Sequence, residues 1–399
     1  MDLSDIPDFI IRGGTIVDGT GVPPVVGDVA VKGDKIWAIG PRLPFRGKHE
    51  YDASGMIVAP GWVDAHTHFD GQVTWDPYLT PSASGGVTTC VMGNCGVGFA
   101  PCQRERRDEM IEMVEAIEDV PREAVREGLR WEWETFEEYM DALSRRELAC
   151  DVAAMVGHST IRNWVLGDRM NLSDRPHGAE NAPVQPHEIE AMAAVVRDAV
   201  AAGAMGFSTS RAIYHRDLRG VLMPGSLASS DEMLALARAI GEGGGGVFGA
   251  NMDFRTYDDV PGHEFSEEKR KEHYESEWRW LDTIASESKG RTNITFEAME
   301  VNFDRVARVE QIMRKYNDVT IRTQCHVRPQ SFLQSVNSRM NLLMMSKTYR
   351  QLHGRAYKAA SDSPKDFSEH MHALLVEMTD PNVRRTILEE AQSRLDRVK

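Results

Sequence analysis

Apolar and polar positions follow two patterns, one in the first sixty residues and another from Met56 onward. Phe9 to Val17 is rich in β-forming residues, and Asp28 to Ile39 alternates apolar and polar positions around Gly33-Asp34. Two short alternating runs joined by a tight-turn dipeptide predict a β-hairpin. A sheet of so few strands cannot bury a hydrophobic core by itself. We therefore expect residues 1–58 to form a small β domain that packs on the remainder of the chain.

From Met56 onward, short apolar runs alternate with stretches of helical period. The helical patterns are Arg107 to Ile117, His187 to Ala202 and Asp231 to Ile240, the last preceded by the N-cap candidates Ser229 and Ser230. Strands are predicted at Gly61–Ala65, Gly86–Met92, Val152–Val156, Ala204–Ser208, Gly246–Ala250, Asn293–Ala298 and Val319–Thr323. Such alternation is typical of parallel βαβ units, and no Gly-rich nucleotide loop is present. The predicted fold is therefore α/β, a TIM-like (β/α) barrel with a small N-terminal β domain.

The predicted barrel, residues 59–330, has seven strands, one fewer than a closed barrel of this class needs. Residues 331–399 are rich in Met, Arg and Glu and are expected to form a helical C-terminal segment. Either the barrel is incomplete, another segment closes it, or the chain is a shortened version of a longer one. An open barrel exposes strand edges, so we expect association into a homo-oligomer. The charged run Asp253 to Glu277 is expected to be an irregular excursion after the fifth strand.

Composition narrows the class of protein. The chain has 399 residues, 41% of them hydrophobic, and a net charge of −15. The negative net charge argues against nucleic acid and anionic membranes as partners. No apolar run is long enough to span a membrane. Five cysteines and a start without a secretory pattern indicate a reduced, cytoplasmic protein. The expected partner is a small-molecule substrate.

The clearest candidate for chemistry is a His-x-His pair at the end of the first barrel strand. His66 and His68 follow Gly61-Trp62-Val63-Asp64-Ala65. Residues two apart in an extended chain point to the same side, so both rings can face the barrel mouth. Two converging imidazoles are good ligands for zinc. The alternative is a chance pair of polar residues at a strand end.

A second candidate follows the next strand. Cys95 lies in Gly93-Asn94-Cys95-Gly96, where the glycines let the backbone approach a ligand. A thiolate is a strong zinc ligand and can bridge two ions, so we expect one zinc ion or two. The alternative for Cys95 is a small buried core residue.

Other polar residues are expected at the barrel mouth. Arginines there can hold a substrate carboxylate by a two-pronged contact, and their alternative is a surface charge. The substrate-binding candidates are Arg211, Tyr214 and His215 after the fourth strand, Arg328 after the seventh, and His158 and Arg162 after the third, where a structural role is equally open. His326, also after the seventh strand, is the candidate for proton transfer, with a surface-loop histidine as its alternative. Glu297 and Glu300 are weaker candidates for the same role.

These motifs resemble the D-aminoacylase, or N-acyl-D-amino-acid deacylase, branch of the metal-dependent amidohydrolases. The resemblance rests on Ile11–Gly21, Ala59–His68 and Gly93–Gly96, together with Val156–Arg162 and Gly206–Ser210. It implies a TIM barrel with a small β domain, amide hydrolysis by a zinc-activated water, and a cysteine in place of the bridging carbamylated lysine. The fourth strand contains no lysine, which agrees with that replacement and argues against a dihydroorotase or hydantoinase subtype.

The chain also departs from the family pattern. Asn251 stands where the resemblance implies a metal-binding histidine after the fifth strand, and we count it among the substrate-binding candidates. The sixth strand offers only carboxylates, and the family's last-strand aspartate has no visible counterpart. The leading prediction is a zinc-dependent hydrolase of linear amides such as N-acyl-D-amino acids. The alternative is a non-catalytic or truncated relative that acts as a scaffold or binding subunit.

Overall fold

The structure is a computed structural model, and it describes most of the chain in segments. The described residues are 6–118, 120, 122–170, 184–212, 215, 222–252, 267–288, 290–297, 303–324, 343, 346–362 and 367–398. The chain divides into two compact units, Met1–Val63 with Gly85–Thr88, and Asp64–Ser84 with Thr89–Lys399. The boundaries 1–58, 59–330 and 331–399 expected from the sequence stay predictions.

The smaller unit contains a five-stranded sheet. Its strands are β1 (Phe9–Ile16), β2 (Val25–Lys32), β3 (Lys35–Gly40), β4 (His49–Asp52) and β5 (Ile57–Val58). The order is β3-β2-β1-β4, and β5 also pairs with β1. Strands β2 and β3 are antiparallel and meet at Lys32 and Lys35, with Gly33 at a φ of +60°. The hairpin predicted around Gly33-Asp34 is confirmed.

A curled parallel sheet of seven strands forms a half-barrel. Its strands are β6 (Trp62–Asp64), β7 (Val87–Met92), β8 (Asp151–Gly157), β9 (Gly206–Ser210), β10 (Gly246–Asn251), β11 (Thr292–Glu297) and β12 (Ile321–Gln324). They lie in chain order from β6 to β12. Each predicted strand overlaps one of these, and the described residues after β12 contain no further strand. The predicted fold class is confirmed.

Helices connect these strands and follow them. Between strands lie α1 (Arg107–Glu118), α2 (Arg122–Gly128), α3 (Phe136–Ser144), α4 (His158–Leu166), α5 (Pro186–Ala201), α6 (Ser230–Glu242), α7 (Glu267–Ser288) and α8 (Phe303–Lys315). After β12 come α9 (Lys347–Asp362), α10 (Phe367–Glu377) and α11 (Pro381–Val398). None of the helices in the described segments is long and apolar enough to cross a membrane.

Helix α7 corrects one expectation. Residues 253–266 of the expected irregular excursion lie outside the described residues, but its end, from Glu267 onward, is helical. The apolar face that stabilises this helix begins just beyond the excursion, with Trp278, Leu281 and Ile284 buried at helical spacing. The charged run Asp253 to Glu277 ends before these apolar residues, so its sequence shows no helical period.

Buried aromatic rings join the sheet to its helical layer. The ring of Phe207 on β9 lies 5.4 Å from that of Phe248 on β10, which lies 5.7 Å from that of Trp280 on α7. All three side chains are buried. On the neighbouring helix α6, the hydroxyl of Ser229 accepts a hydrogen bond from the backbone N–H of Glu232, which confirms the predicted N-cap. The ring contacts hold β9 and β10 against α7.

Candidate metal centre

His66, His68 and Cys95 lie together where β6 and β7 end. Between the two histidines, Thr67 donates hydrogen bonds from its backbone N–H and its hydroxyl to the carbonyl of Val91 on β7, at 3.0 and 2.8 Å. Thr67 is thereby buried toward the sheet, while the rings of His66 and His68 lie 5.4 Å apart. One ligand atom from each histidine and the sulfur of Cys95 all lie within 4.8 Å of one another.

A tight turn positions Cys95 after β7. Gly93, Cys95 and Gly96 have φ values of +75°, +53° and +74°. Positive φ is uncommon for a residue with a side chain, and residues held in this conformation cluster at functional sites. A Cβ on Gly93 would lie 2.0 Å from the carbonyl oxygen of Met155, so only glycine fits there. The buried Asn94 side chain donates to the carbonyl of Val91 at 2.9 Å and holds the turn on the strand.

Each histidine contacts a polar side chain outside the cluster. His66 Nε2 lies 3.2 Å from the sulfur of Cys95, and His66 Nδ1 lies 2.6 Å from Oε1 of Gln324. His68 Nε2 lies 3.3 Å from a carboxylate oxygen of Glu118, and its Nδ1 is buried without a hydrogen-bond partner. Burial, with the charges of His66 and His215, lowers the pKa of His68 well below its ordinary value. A neutral imidazole is the form that ligates a metal.

Two more predicted residues lie at or after the ends of β9 and β10, and His215 is close enough to feel the charge of His66. His215 is buried, and its Nδ1 lies 2.8 Å from the hydroxyl of Ser210 at the end of β9. Burial, helped by the charge of His66, lowers the pKa of His215 to about 4, so this ring is neutral at pH 7. Asn251 is buried at the end of β10, where it pairs in register with Ser210.

The described arginines among the candidates are engaged in ion pairs. Arg211 donates from Nε to a carboxylate oxygen of Glu277 at 2.6 Å, and its guanidinium lies over the ring of Trp280. Arg162 is fully buried and donates two hydrogen bonds to Glu232, at 2.8 and 2.7 Å. These contacts occupy both guanidinium groups with carboxylates of the chain itself.

His158 belongs to the same buried group as Arg162. Its Nε2 lies 2.8 Å from Glu232, and its Nδ1 lies 2.8 Å from the hydroxyl of Thr209. For His158 and Arg162 the contacts favour the structural alternative that the sequence left open. The candidates Tyr214, His326, Arg328 and Glu300 lie outside the described residues, and Glu297 is described only as the last residue of β11.

Three polar residues at the site were not predicted. Gln324 ends β12, and a polar residue at a strand end could have been recognised in the sequence as a site candidate. Asp70 continues the spacing of His66 and His68 by two residues, and burial raises its pKa to about 7. Glu118 ends helix α1, and nothing in the sequence pattern connects it with His68.

Comparison with known proteins identifies the family. The sequence profile of the amidohydrolase family matches residues 49–341, nearly three quarters of the chain. The chain belongs to the amidohydrolase family. This amidohydrolase is 34% identical over 245 residues to a D-aminoacylase of Alcaligenes xylosoxydans xylosoxydans, a match covering 61% of the chain and 44% of the relative. The amidohydrolase therefore spans less than half the length of that relative.

Solved structures agree with this assignment. A D-aminoacylase crystal structure superimposes with a TM-score of 0.59 and 29% identity, covering 79% of this chain and 58% of that one. An N-acyl-D-glutamate deacylase from Bordetella bronchiseptica, complexed with zinc and a phosphonate inhibitor, matches with a TM-score of 0.59, 26% identity and the same coverage of both chains. The resemblance to the D-aminoacylase branch is thereby confirmed.

Proposed function

We propose that this amidohydrolase binds zinc through His66, His68 and Cys95 and hydrolyses a linear amide, with N-acyl-D-amino acids as the substrate class. The observation that carries the proposal is the meeting of two imidazoles and a thiol within 4.8 Å at the ends of neighbouring strands. Barrel enzymes keep their catalytic groups at this end of the strands. The D-aminoacylase and N-acyl-D-glutamate deacylase relatives support the choice of substrate.

The donor set fits a zinc ion. Nitrogen and sulfur are the ligand atoms that zinc prefers, and three protein ligands leave one coordination position open, as in catalytic sites. The buried Nδ1 of His68, which has no hydrogen-bond partner, supports this fit because an unsatisfied buried polar atom is costly. This cluster is one group of three such donors, so we propose one ion, with a second ion as the alternative.

The chain's own residues set the conditions for the chemistry. Zinc, when bound, supplies a Lewis acid for the amide carbonyl and a nucleophile at neutral pH. His66 and His68 offer nitrogen lone pairs, and Cys95 gives up its thiol proton on binding the ion. For the substrate carboxylate we propose Arg328 ahead of Arg211, because Glu277 already pairs with Arg211. His326 remains our proposal for delivering a proton to the leaving nitrogen.

Metal content and hydrolysis test the proposal together. We expect about one zinc per chain by mass spectrometry, and none in the double variant His66→Ala/His68→Ala. The control His49→Ala/His187→Ala removes two exposed histidines and should keep the metal. N-acetyl-D-amino acids should release free amine with the zinc-loaded protein, and their L-enantiomers should react more slowly. Absence of zinc after metal is supplied would refute the proposal.

One observation favours a second function. Asn251 ends β10, where the family resemblance implies a metal-binding histidine, and an amide oxygen is a poor zinc ligand beside imidazole. A non-catalytic binding role is therefore the alternative. Zinc binding without hydrolysis of any N-acyl-amino acid would favour this alternative.

We also propose, from the sequence, a cytoplasmic location and self-association of the chain. Cell fractionation measures the first and sedimentation velocity the second.

A further inference from the structure

Gln324 reaches the candidate metal centre from the opposite end of the half-barrel sheet. It ends β12, whereas His66 follows β6, the other outermost strand of the order. The carbonyl oxygen of its side chain, Oε1, lies 2.6 Å from His66 Nδ1. Its amide nitrogen donates a hydrogen bond to the hydroxyl of Thr295 on β11, at 3.2 Å. In this arrangement the amide lies between two partners, with its oxygen toward the histidine and its nitrogen toward the hydroxyl.

This orientation determines where His66 carries its proton. A carbonyl oxygen only accepts hydrogen bonds, so Nδ1 of His66 must donate. A neutral imidazole has one N–H, so Nε2 keeps its lone pair. That Nε2 lies 3.2 Å from the sulfur of Cys95, on the side of the cluster. The reversed amide would place the proton on Nε2 and prevent His66 from ligating a metal through that atom.

We propose that Gln324 is a positioning residue that holds His66 as the Nδ1–H tautomer, with Nε2 directed to the metal. The inference rests on the proposed zinc site for its role, but the tautomer itself is a property of the metal-free protein. Outer partners of ligating histidines fix the ring and the tautomer, and their loss typically lowers metal affinity about 10–100-fold. The side chain at position 324 is therefore expected to act by accepting a hydrogen bond and not through its charge.

Zinc affinity of matched variants tests the proposal. We would measure dissociation constants by chelator competition at constant pH for the full chain, with thermal melting of the metal-free proteins as a check on folding. Gln324→Leu removes the acceptor and should weaken zinc binding about 10–100-fold. Gln324→Glu keeps an acceptor and should bind zinc at least as tightly as the original protein. Gln103→Leu removes another half-buried glutamine, bonded to the carbonyl of Trp164 at 3.2 Å, and should leave affinity unchanged.

Nitrogen-15 NMR of the metal-free protein gives a second measurement that does not depend on zinc. We expect the His66 ring, assigned with His66→Ala, to show a protonated Nδ1, and Gln324→Leu to shift it toward the Nε2–H form. A protonated Nε2 in the original protein would overturn the inference. So would zinc binding by Gln324→Leu at full affinity, or a Gln324→Glu variant as weak as Gln324→Leu. If the original protein shows the Nδ1–H tautomer but binds no zinc, the proposed function fails and the tautomer assignment stands.

Discussion

Glu232 lies at the centre of the most deeply buried charged group in the described part of the chain. Its carboxylate pairs with Arg162 and His158, and the side chains of all three are at most 1% exposed. Burial opposes its ionisation, but the hydrogen bonds from His158 and Arg162 and the charge of Arg162 outweigh that effect and lower its pKa to about 2. Burial also lowers the pKa of His158, which favours the neutral ring. The group fixes the start of α4 against α6.

Glu232→Gln should destabilise the protein by about 3–5 kcal/mol at pH 7, because the guanidinium of Arg162 is then buried without a counter-charge. The loss should depend on pH. The carboxylate ionises near pH 2 when folded and near its ordinary 4.5 when unfolded, so its contribution is complete above pH 4.5 and lost as pH falls toward 2. Urea unfolding of both proteins between pH 7 and pH 3 should show the difference shrinking with acid.

The exposed pair of Arg238 and Glu287 is the control for this prediction. Arg238 donates two hydrogen bonds to Glu287 at 2.6 and 2.9 Å, but the side chains are 53% and 34% exposed. Glu287→Gln should therefore cost at most about 1 kcal/mol. Equal losses for Glu232→Gln and Glu287→Gln, or a Glu232→Gln loss independent of pH, would contradict the assigned role of burial.

At the scale of elements, the sequence predicts strands well and connections less well. The seven barrel strands were visible because each is a short apolar run ended by a small or polar residue, and His66, His68 and Cys95 follow two of them directly. Helix α7 was missed because its buried face lies beyond the charged run that precedes it. Glu118 could not be predicted because it lies far from His68 in the sequence, so their contact depends on the tertiary fold.

The geometry of the turn after β7 predicts the size of a mutational effect that the sequence alone could not quantify. Gly93→Ala should destabilise the larger unit by roughly 2–5 kcal/mol, combining the cost of a left-handed backbone with that of a contact 2.0 Å from a fixed carbonyl oxygen. Because Cys95 follows in the same turn, zinc affinity should fall as well. Chemical unfolding and chelator competition measure the two effects.

Gly290→Ala is the matched control for the turn. Gly290 has nearly the same φ, +74°, but its Cβ would lie 3.3 Å from its nearest neighbours in Asp318. The substitution should cost about 1–2 kcal/mol for the backbone alone and leave zinc affinity unchanged. A Gly93→Ala protein no less stable than Gly290→Ala would show that the turn relaxes around the added methyl group.

At the scale of the whole molecule, the described sheet has seven strands, one fewer than a closed eight-stranded (β/α) barrel. Seven parallel strands lie in chain order, and the described residues beyond them form helices with their own small core of Tyr349, Leu352, Leu374 and Ile387. The candidate ligands follow β6 and β7, while Gln324 ends β12, so the site draws on the ends of both outer strands of the order. Metal binding should therefore stabilise the larger unit as a whole.

Calorimetry in the presence of zinc tests this coupling. A ligand that binds only the folded state at one hundred times its dissociation constant adds about 2.7 kcal/mol of stability. The larger unit should then melt several degrees higher, while the transition of the smaller unit stays in place, since the two units need not unfold together. Magnesium prefers oxygen ligands and should not reproduce the shift. A zinc-induced shift that persists in His66→Ala/His68→Ala would place the stabilising ion elsewhere in the chain and remove the physical basis for the proposed centre.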